Sequence, residues 1–311
     1  MRVLVTGASG FVGRSLHSAL SLRKNEIVVT TRTAQSEQNA ASNSIVVSNI
    51  GATTNWSSAL SGADAVVHLA ARVHVMRDTA IDPLTEFRCV NTNGTLNLAR
   101  QAAAAGVRRF VFLSTIGVNG NATTLGNLVS ETDTPRPHDP YSISKHEAEI
   151  GLRAIAASAE MEVVIIRPTL VHGAHAPGNF GKLKGVVARG IPLPLASINN
   201  RRSLVGIDNL VDLIVTCLEH PAAANETFLV SDGEDLSTPS LIRRMARAMN
   251  RPARLLPLPE KALMAIATML GSRDAAQRLC GSLQVDTSKV RALLEWSPPV
   301  SLDEGLSRAV K

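Results

Sequence analysis

Arg2-Val3-Leu4-Val5-Thr6-Gly7-Ala8-Ser9-Gly10-Phe11-Val12-Gly13 opens the chain and decides its fold. Residues 2–6 are a short apolar run that reads as a buried strand. Three glycines then follow with the spacing GxxGxxG, and a helical pattern runs from Phe11 to about Leu22. A glycine-rich turn between strand and helix lets backbone N–H groups approach a pyrophosphate, and the helix N-terminus favours the negative charge. A lone glycine motif is weak evidence. With a strand before it and a helix after it, this one predicts a nucleotide site rather than a plain tight turn.

The second strand is Glu26-Ile27-Val28-Val29-Thr30-Thr31, followed by Arg32-Thr33 with no acid nearby. An acid at this point holds a ribose 2′-hydroxyl, whereas an arginine accommodates a 2′-phosphate. Arg32 therefore favours NADP(H) over NAD(H). The competing reading makes it a solvated residue lying on adenine.

Strand and helix patterns alternate from there. Strands are expected at 2–6, 26–31, 45–48, 65–69, 109–113 and 163–167, and helices at about 11–22, 55–61, 83–105 and 140–158. That alternation predicts an α/β fold with a doubly wound parallel sheet. Pro168 closes this block. Beyond it come loops at 172–181 and 190–199, helices near 208–219 and 238–250, and an amphipathic stretch from Leu302. The expected division is a dinucleotide-binding domain at 1–168, rejoined by 203–231, and a smaller substrate-binding lobe from 169–202 and 232–311. The polar segment Thr33–Ser44 is expected to be a mobile loop beside the cofactor ribose. The helices at Leu96–Gly106 and Lys145–Ser158 carry many small residues. These suit either core packing or a homodimer built from two helices per subunit.

The net charge of +6 and pI near 9.6 suit anionic ligands. The basic residues are scattered and aromatics are 3% of the chain, which argues against nucleic acid. Cys89, Cys217 and Cys280 form no CxxC pair and read as small buried apolar residues of a reduced compartment. No metal site is expected. The apolar stretch Ala262–Leu270 is too short to span a bilayer. No signal peptide fits, and a soluble cytoplasmic protein is expected.

Tyr141 is the chain's one tyrosine and stands four residues before Lys145. On a helix these side chains share a face. An adjacent ammonium favours the phenolate. Bringing a phenol from about 10 to about 7 takes roughly 4 kcal/mol, which a lysine and an oxidised nicotinamide together could supply. The product is a general acid/base for an alcohol hydroxyl near neutral pH. With 7 lysines in 311 residues, the spacing gains its weight from the glycine turn.

Together these residues resemble an extended short-chain dehydrogenase/reductase, in the branch of nucleotide-sugar 4-epimerases and 4-ketoreductases with a Rossmann fold. The match spans nearly the whole chain. Gly7, Gly10 and Gly13, with Ser9, Phe11 and Val12 between and around them, correspond to the family's cofactor turn. Leu69-Ala70-Ala71 corresponds to the segment under the cofactor, and Asn91 in Asn91-Thr92-Asn93-Gly94-Thr95 to the central-helix asparagine. Ser114-Thr115 correspond to the catalytic hydroxyl pair, and Tyr141 and Lys145 to YxxxK. The resemblance implies that Tyr141 is the acid/base at the sugar C4 oxygen and that Lys145 holds the nicotinamide ribose. It makes Thr115, helped by Ser114, the hydrogen bond to the reacting oxygen. Asn49 and Ile50 stand where the family contacts adenine, with Asn49 replacing the usual acid, and Pro168 lines the cofactor site. Asn179 and Arg202 correspond to contacts with the substrate diphosphate. Arg201 reads as surface and Asp208 as a cap for the helix after it. Asp286-Thr287-Ser288-Lys289 with Leu294-Glu295-Trp296 resembles a structural C-terminal signature.

The implied function is an oxidoreductase at C4 of a UDP-sugar. The segment Ser114–Gly120 followed by Pro137-His138-Asp139-Pro140-Tyr141 looks most like NADPH-dependent reductases of UDP-4-keto-6-deoxy-N-acetylhexosamines. The alternative is a UDP-hexose or UDP-N-acetylhexosamine 4-epimerase with retained NAD. Arg167-Pro168-Thr169-Leu170 replaces the Arg-Tyr-Phe-Asn run of classical UDP-galactose 4-epimerases. Elimination of water is disfavoured, because no carboxylate follows Thr115. Asn179 and Arg202 argue against a steroid or flavonoid ketone, and the retained Tyr/Lys pair against a nonenzymatic sensor.

Overall fold

Strand β1 (Arg2–Thr6) is buried from Val3 onward because helices cover both its faces. Val3 and Val5 pack with Leu16 and Leu20 and with Leu213 and Ile214, while Leu4 packs with Trp56, Leu98, Ala99 and Leu152. Strands buried on both sides read as continuous apolar runs, and this is why the first strands are plain in the sequence. The computed structural model describes residues 1–32, 43–73, 81–269, 271 and 273–310. The segment expected to be a loop, Thr33–Ser44, lies outside the described residues up to position 42.

The further strands are β2 Glu26–Thr31, β3 Ser44–Val46, β4 Ala65–His68, β5 Arg109–Leu113, β6 Leu128–Val129, β7 Glu162–Pro168, β8 Leu170–His172, β9 Arg202–Gly206, β10 Thr227–Val230, β11 Asp235–Leu236 and β12 Gln284–Val285. The helices are α1 Phe11–Leu22, α2 Ser57–Leu60, α3 Pro83–Phe87, α4 Thr95–Ala104, α5 Pro140–Ala157, α6 Gly178–Ala188, α7 Ile207–Glu219, α8 Thr238–Ala248, α9 Glu260–Met269, α10 Arg273–Cys280, α11 Ser288–Leu294 and α12 Leu302–Val310. The central sheet has the order β10-β7-β5-β4-β1-β2-β3 and is parallel throughout. The expected doubly wound sheet is present, and its strand order reverses between β1 and β4. In open α/β sheets ligands bind at that switch point, outside the carboxyl ends of the strands.

One layer contains α1 and α7 with Trp296, and the other α2, α4 and α5 with Trp56. Trp296 Nε1 donates to Asp212 Oδ2 at 2.9 Å, tying the C-terminal signature to α7. The smaller lobe has its own core, including Phe180, Leu195, Leu241, Met245 and Leu306. Of residues 203–231, α7 packs on the central sheet and β10 extends it. Strand β9 instead pairs with β8 and β11 in a three-stranded sheet.

Four expectations change. Cys89 is exposed, although Cys217 and Cys280 are buried as expected. The helix expected at 83–105 is α3, a π-helical stretch Arg88–Gly94, and α4. Tertiary contacts shape the wider turn: Thr92 Oγ1 donates to the Ser144 carbonyl at 2.9 Å, and a Cβ on Gly94 would lie 2.6 Å from Ile50 Cγ2. The helix expected at 55–61 is only Ser57–Leu60. Asp208 is not the cap of α7. The N-cap is Gly206, and Asp208 sits in the first turn, paired with Arg308 at 2.7 Å.

The small residues on α4 and α5 serve the core first. Ala99, Ala102 and Ala148 are buried, and a Cβ on Gly151 would meet Leu96 Cδ2 at 2.5 Å. No described helix is long and apolar enough to cross a membrane.

Candidate active site

The glycine turn is held by close backbone packing. Gly7 has φ +73, and a Cβ there would lie 2.7 Å from the Ala70 nitrogen. The left-handed conformation and the missing side chain are both required of that position. Gly10 N donates to the Gly7 carbonyl at 2.9 Å. Gly10 is the N-cap of α1, with no side-chain cap and no acidic residue in the first turn. Ser9 and Gly10 are exposed, whereas Phe11 and Val12 lean on the cores. An uncapped helix N-terminus above a side-chain-free cradle fits a dinucleotide pyrophosphate.

The facing wall is Leu69-Ala70-Ala71, which follows β4. Ala70 N donates to Thr6 Oγ1 at 3.3 Å. Asn91 clamps the next residue, accepting from Arg72 N at 2.8 Å and donating to the Arg72 carbonyl at 3.0 Å. Its amide also donates to Ser144 Oγ at 3.0 Å, which joins this wall to α5.

His68 was not singled out in the sequence, and it lies beneath this site. Its Nδ1 is 2.7 Å from Thr6 Oγ1 and its Nε2 2.9 Å from Thr95 Oγ1. Burial, and secondarily the charge of Lys145, lower its pKa to about 3, so the ring is neutral at neutral pH. It stacks on Phe112 at 6.0 Å. A histidine ending an apolar strand carries no local signal of such a role.

Helix α5 starts at a capping box. Asp139 accepts from Ser142 N at 2.7 Å, Ser142 Oγ accepts from Asp139 N at 3.1 Å, and Pro140 occupies the first turn. This start sets Tyr141 and Lys145 one turn apart at the mouth of the crevice. The Tyr141 ring is edge-on to Phe87, 6.2 Å between centroids. Lys145 is buried with Nζ 4.0 Å above the centre of the Phe112 ring, a cation–π contact. Burial pulls the lysine down to about 7, opposed by Glu149. Burial and then Asp139 push the Tyr141 phenol up to about 12. The depression expected of the phenol is therefore absent from the protein alone, where desolvation dominates.

Thr115 stands at the end of β5. Its Oγ1 accepts from Gly117 N at 3.1 Å, which leaves its own proton to donate. Ser114 differs: its Oγ donates to Glu149 Oε1 at 2.6 Å, so its proton points away from the crevice. Glu149 in turn takes two hydrogen bonds from Arg167, at 2.9 and 2.5 Å. Arg167 also donates to Asn119 Oδ1 at 2.9 Å. Sequence reasoning missed this pair, because only the fold brings β7 against α5.

The remaining candidates lie further out. Arg32 is exposed at the end of β2, and Asn49 is exposed after β3, its carbonyl accepting from Thr54 Oγ1 at 2.8 Å. Ile50 is partly buried against Gly94, and Pro168 is buried where β7 ends. Asn179 is exposed in the first turn of α6. Arg202 donates to the carbonyls of Arg278 and Gly281 at 3.0 and 2.9 Å. Burial lowers its pKa. Arg201 is exposed. The glycine turn, residues 69–71, Asn91, Thr115, Tyr141 and Lys145 thus share the carboxyl ends of β1, β4 and β5 and the start of α5. Asn179 and Arg202 stand in the lobe. A cavity of about 820 Å³ lined by Met1, Asp64, Arg109 and Glu162 lies at the opposite, amino ends of the strands, away from this chemistry.

The pattern of the NAD dependent epimerase/dehydratase family matches residues 3–231. The chain is 46% identical over 311 residues to a UDP-glucose 4-epimerase of Vibrio cholerae, covering 99% of this chain and 94% of that protein. Among solved structures, UDP-N-acetylglucosamine 4-epimerase from Bacillus cereus superposes with a TM-score of 0.81 at 19% identity, covering 100% of this chain and 98% of that one. That likeness shows the fold. UDP-glucose 4-epimerase of Thermus thermophilus in complex with NAD has a TM-score of 0.76 at 25% identity, covering 100% and 98%. By the family pattern and the full-length identity, this chain belongs to the NAD dependent epimerase/dehydratase family.

Proposed function

We propose that the protein is a nucleotide-sugar 4-epimerase, acting on a UDP-hexose or UDP-N-acetylhexosamine with NAD held at the glycine turn. The observation that carries the reading is the placement of Thr115, Tyr141 and Lys145 at one end of the sheet beside Gly7. The full-length identity to a UDP-glucose 4-epimerase supports the choice of reaction.

When bound, the nicotinamide supplies the acceptor and donor of hydride at sugar C4. Tyr141 takes the C4 hydroxyl proton during oxidation and returns it after the sugar has presented its other face. Lys145 holds the ribose and its charge stabilises the phenolate, offsetting the burial that raises Tyr141. Thr115 donates to the C4 oxygen and fixes it for proton transfer. Ser114 anchors the end of β5 next to Thr115 by donating to Glu149. Asn179 and Arg202 hold the diphosphate from the lobe. Ile150 is 55% exposed, and with the exposed Ala154 and Ala157 it forms a stripe along α5. We read this stripe as the homodimer face.

Arg32 supports a second reading, the NADPH-dependent 4-ketoreductase, because no acid stands at the end of β2 to meet a ribose 2′-hydroxyl. One experiment separates them. Purified enzyme is incubated with UDP-galactose and UDP-N-acetylgalactosamine, and separately with UDP-4-keto-6-deoxy-N-acetylglucosamine and NADPH, beside Tyr141→Phe. Interconversion of the 4-epimers without added reductant, lost in the variant, supports the epimerase. NADPH oxidation without epimerisation moves the assignment to the reductase. Inertness of folded, cofactor-binding enzyme in all arms overturns both.

A further inference from the structure

Proton transfer at the sugar does not account for the buried charges behind the Tyr141–Lys145 pair. Glu149 is fully buried one turn beyond Lys145, at the i,i+4 spacing that places two side chains on one helix face. Its carboxylate takes hydrogen bonds from Arg167, from Ser114 at 2.6 Å and from Arg153 at 3.4 Å. Arg167 is 2% exposed and is itself anchored on Asn119. A buried carboxylate needs such partners, and a hydrophobic pair of similar volume would often serve stability as well. The charges therefore call for a use. We propose that Glu149, clamped by Arg167 and Ser114, is a positioning residue that keeps Lys145 charged in the working enzyme. The proposal rests on the role given to Lys145 above.

The other groups around Lys145 do not supply a counter-charge. On β5 it lies over the uncharged face of Phe112. On β4, His68 behind that ring is held neutral. On its own helix, Tyr141 is a neutral phenol in the protein without substrate or cofactor, and His146 is lowered mainly by burial. Glu147 is tied to Arg88 at 2.6 Å, and Asp139 caps α5 with His138 3.5 Å away. Arg153 and Arg167 are cations, and Arg72 beyond Asn91 lies 3.9 Å from Glu86. Glu149 is the anion left, and it opposes the burial that draws Lys145 down to about 7.

The test follows Lys145 directly. With 7 lysines in the chain, protein labelled with carbon-13 at the lysine ε-carbon gives few resonances, and Lys145→Met assigns the one of interest. Its titration is followed in wild type, Glu149→Gln and Arg167→Met without substrate. The expected result is a midpoint lower by about one pH unit in Glu149→Gln and higher in Arg167→Met, where the carboxylate loses its compensating cation. Arg153→Met, at a half-exposed position that does not endanger the fold, raises it by a smaller amount. A midpoint unmoved in Glu149→Gln, or displaced the same way by all three substitutions, overturns the proposal. No substrate is involved, so an error in the assigned reaction leaves these shifts intact and is read separately by the epimerisation assay.

Discussion

A side chain on Gly13 would place its Cβ 2.2 Å from the carbonyl oxygen of Gly7. The obstructing atom is backbone, so no rotamer change relieves it. The first turn of α1 can fold down on the loop only while position 13 is bare. Gly13→Ala is expected to lose about 3 kcal/mol of stability and to bind dinucleotide poorly. Thermal melts with and without cofactor, and a fluorescence titration, check this. A variant that melts and binds as wild type would remove the turn from the cofactor site.

The two hydroxyls that end β5 should separate kinetically. Thr115→Val keeps the shape and removes the donor, so kcat is expected to fall by about a hundredfold with little change in melting temperature. Ser114→Ala takes a partner from buried Glu149 and should cost about 1–2 kcal/mol of stability with a smaller loss of kcat. The reverse ordering would give Ser114 the role at the sugar.

The buried His68 makes stability depend on pH with a definite sign. Its pKa is about 3 in the fold against 6.5 as the ordinary value. Between these, the unfolded chain binds a proton that the fold excludes. The contribution is complete above 6.5 and declines as the pH falls toward 3. By pH about 4.5 the loss attributable to His68 is roughly 3 kcal/mol, at 1.36 kcal/mol per unit. Denaturant unfolding at neutral and acid pH measures it. His68→Gln should lose less stability on acidification, and equal losses in both proteins would place the acid sensitivity elsewhere.

Cofactor choice can be read at Arg32. If the exposed guanidinium meets a 2′-phosphate, Arg32→Asp should weaken NADPH binding by about tenfold or more and leave NADH little changed. Calorimetric titration of both cofactors decides. Equal affinities in wild type, with no change in the variant, would favour NAD and the epimerase.

How far the sequence could be read depended on the range of the interactions. Strands β1, β4 and β5 were plain because burial on both faces leaves an uninterrupted apolar run. The pair Tyr141 and Lys145 was plain because one helix turn fixes its geometry. The π turn at Arg88–Gly94 was not, since Ile50 and Ser144 shape it from elsewhere in the chain. Asp208 looked like a cap beside a helix start, yet its carboxylate faces Arg308, 100 residues away. Glu149 with Arg167 was invisible for the same reason, since β7 and α5 meet only in the fold. Ser114 reads like Thr115 in one dimension, and the difference between them is the direction of one proton.

The chain has two tryptophans, and they lie on opposite sides of the central sheet, Trp56 under α4 and Trp296 against α7. Intrinsic fluorescence of this protein is therefore the sum of one reporter per layer. Single Trp→Phe variants would let each layer be watched alone during unfolding. Coincident transitions would mean that the sheet and both its covers come apart as one cooperative unit. Separated transitions would mean that the cofactor crevice, which both layers enclose, can open from one side while the other still stands.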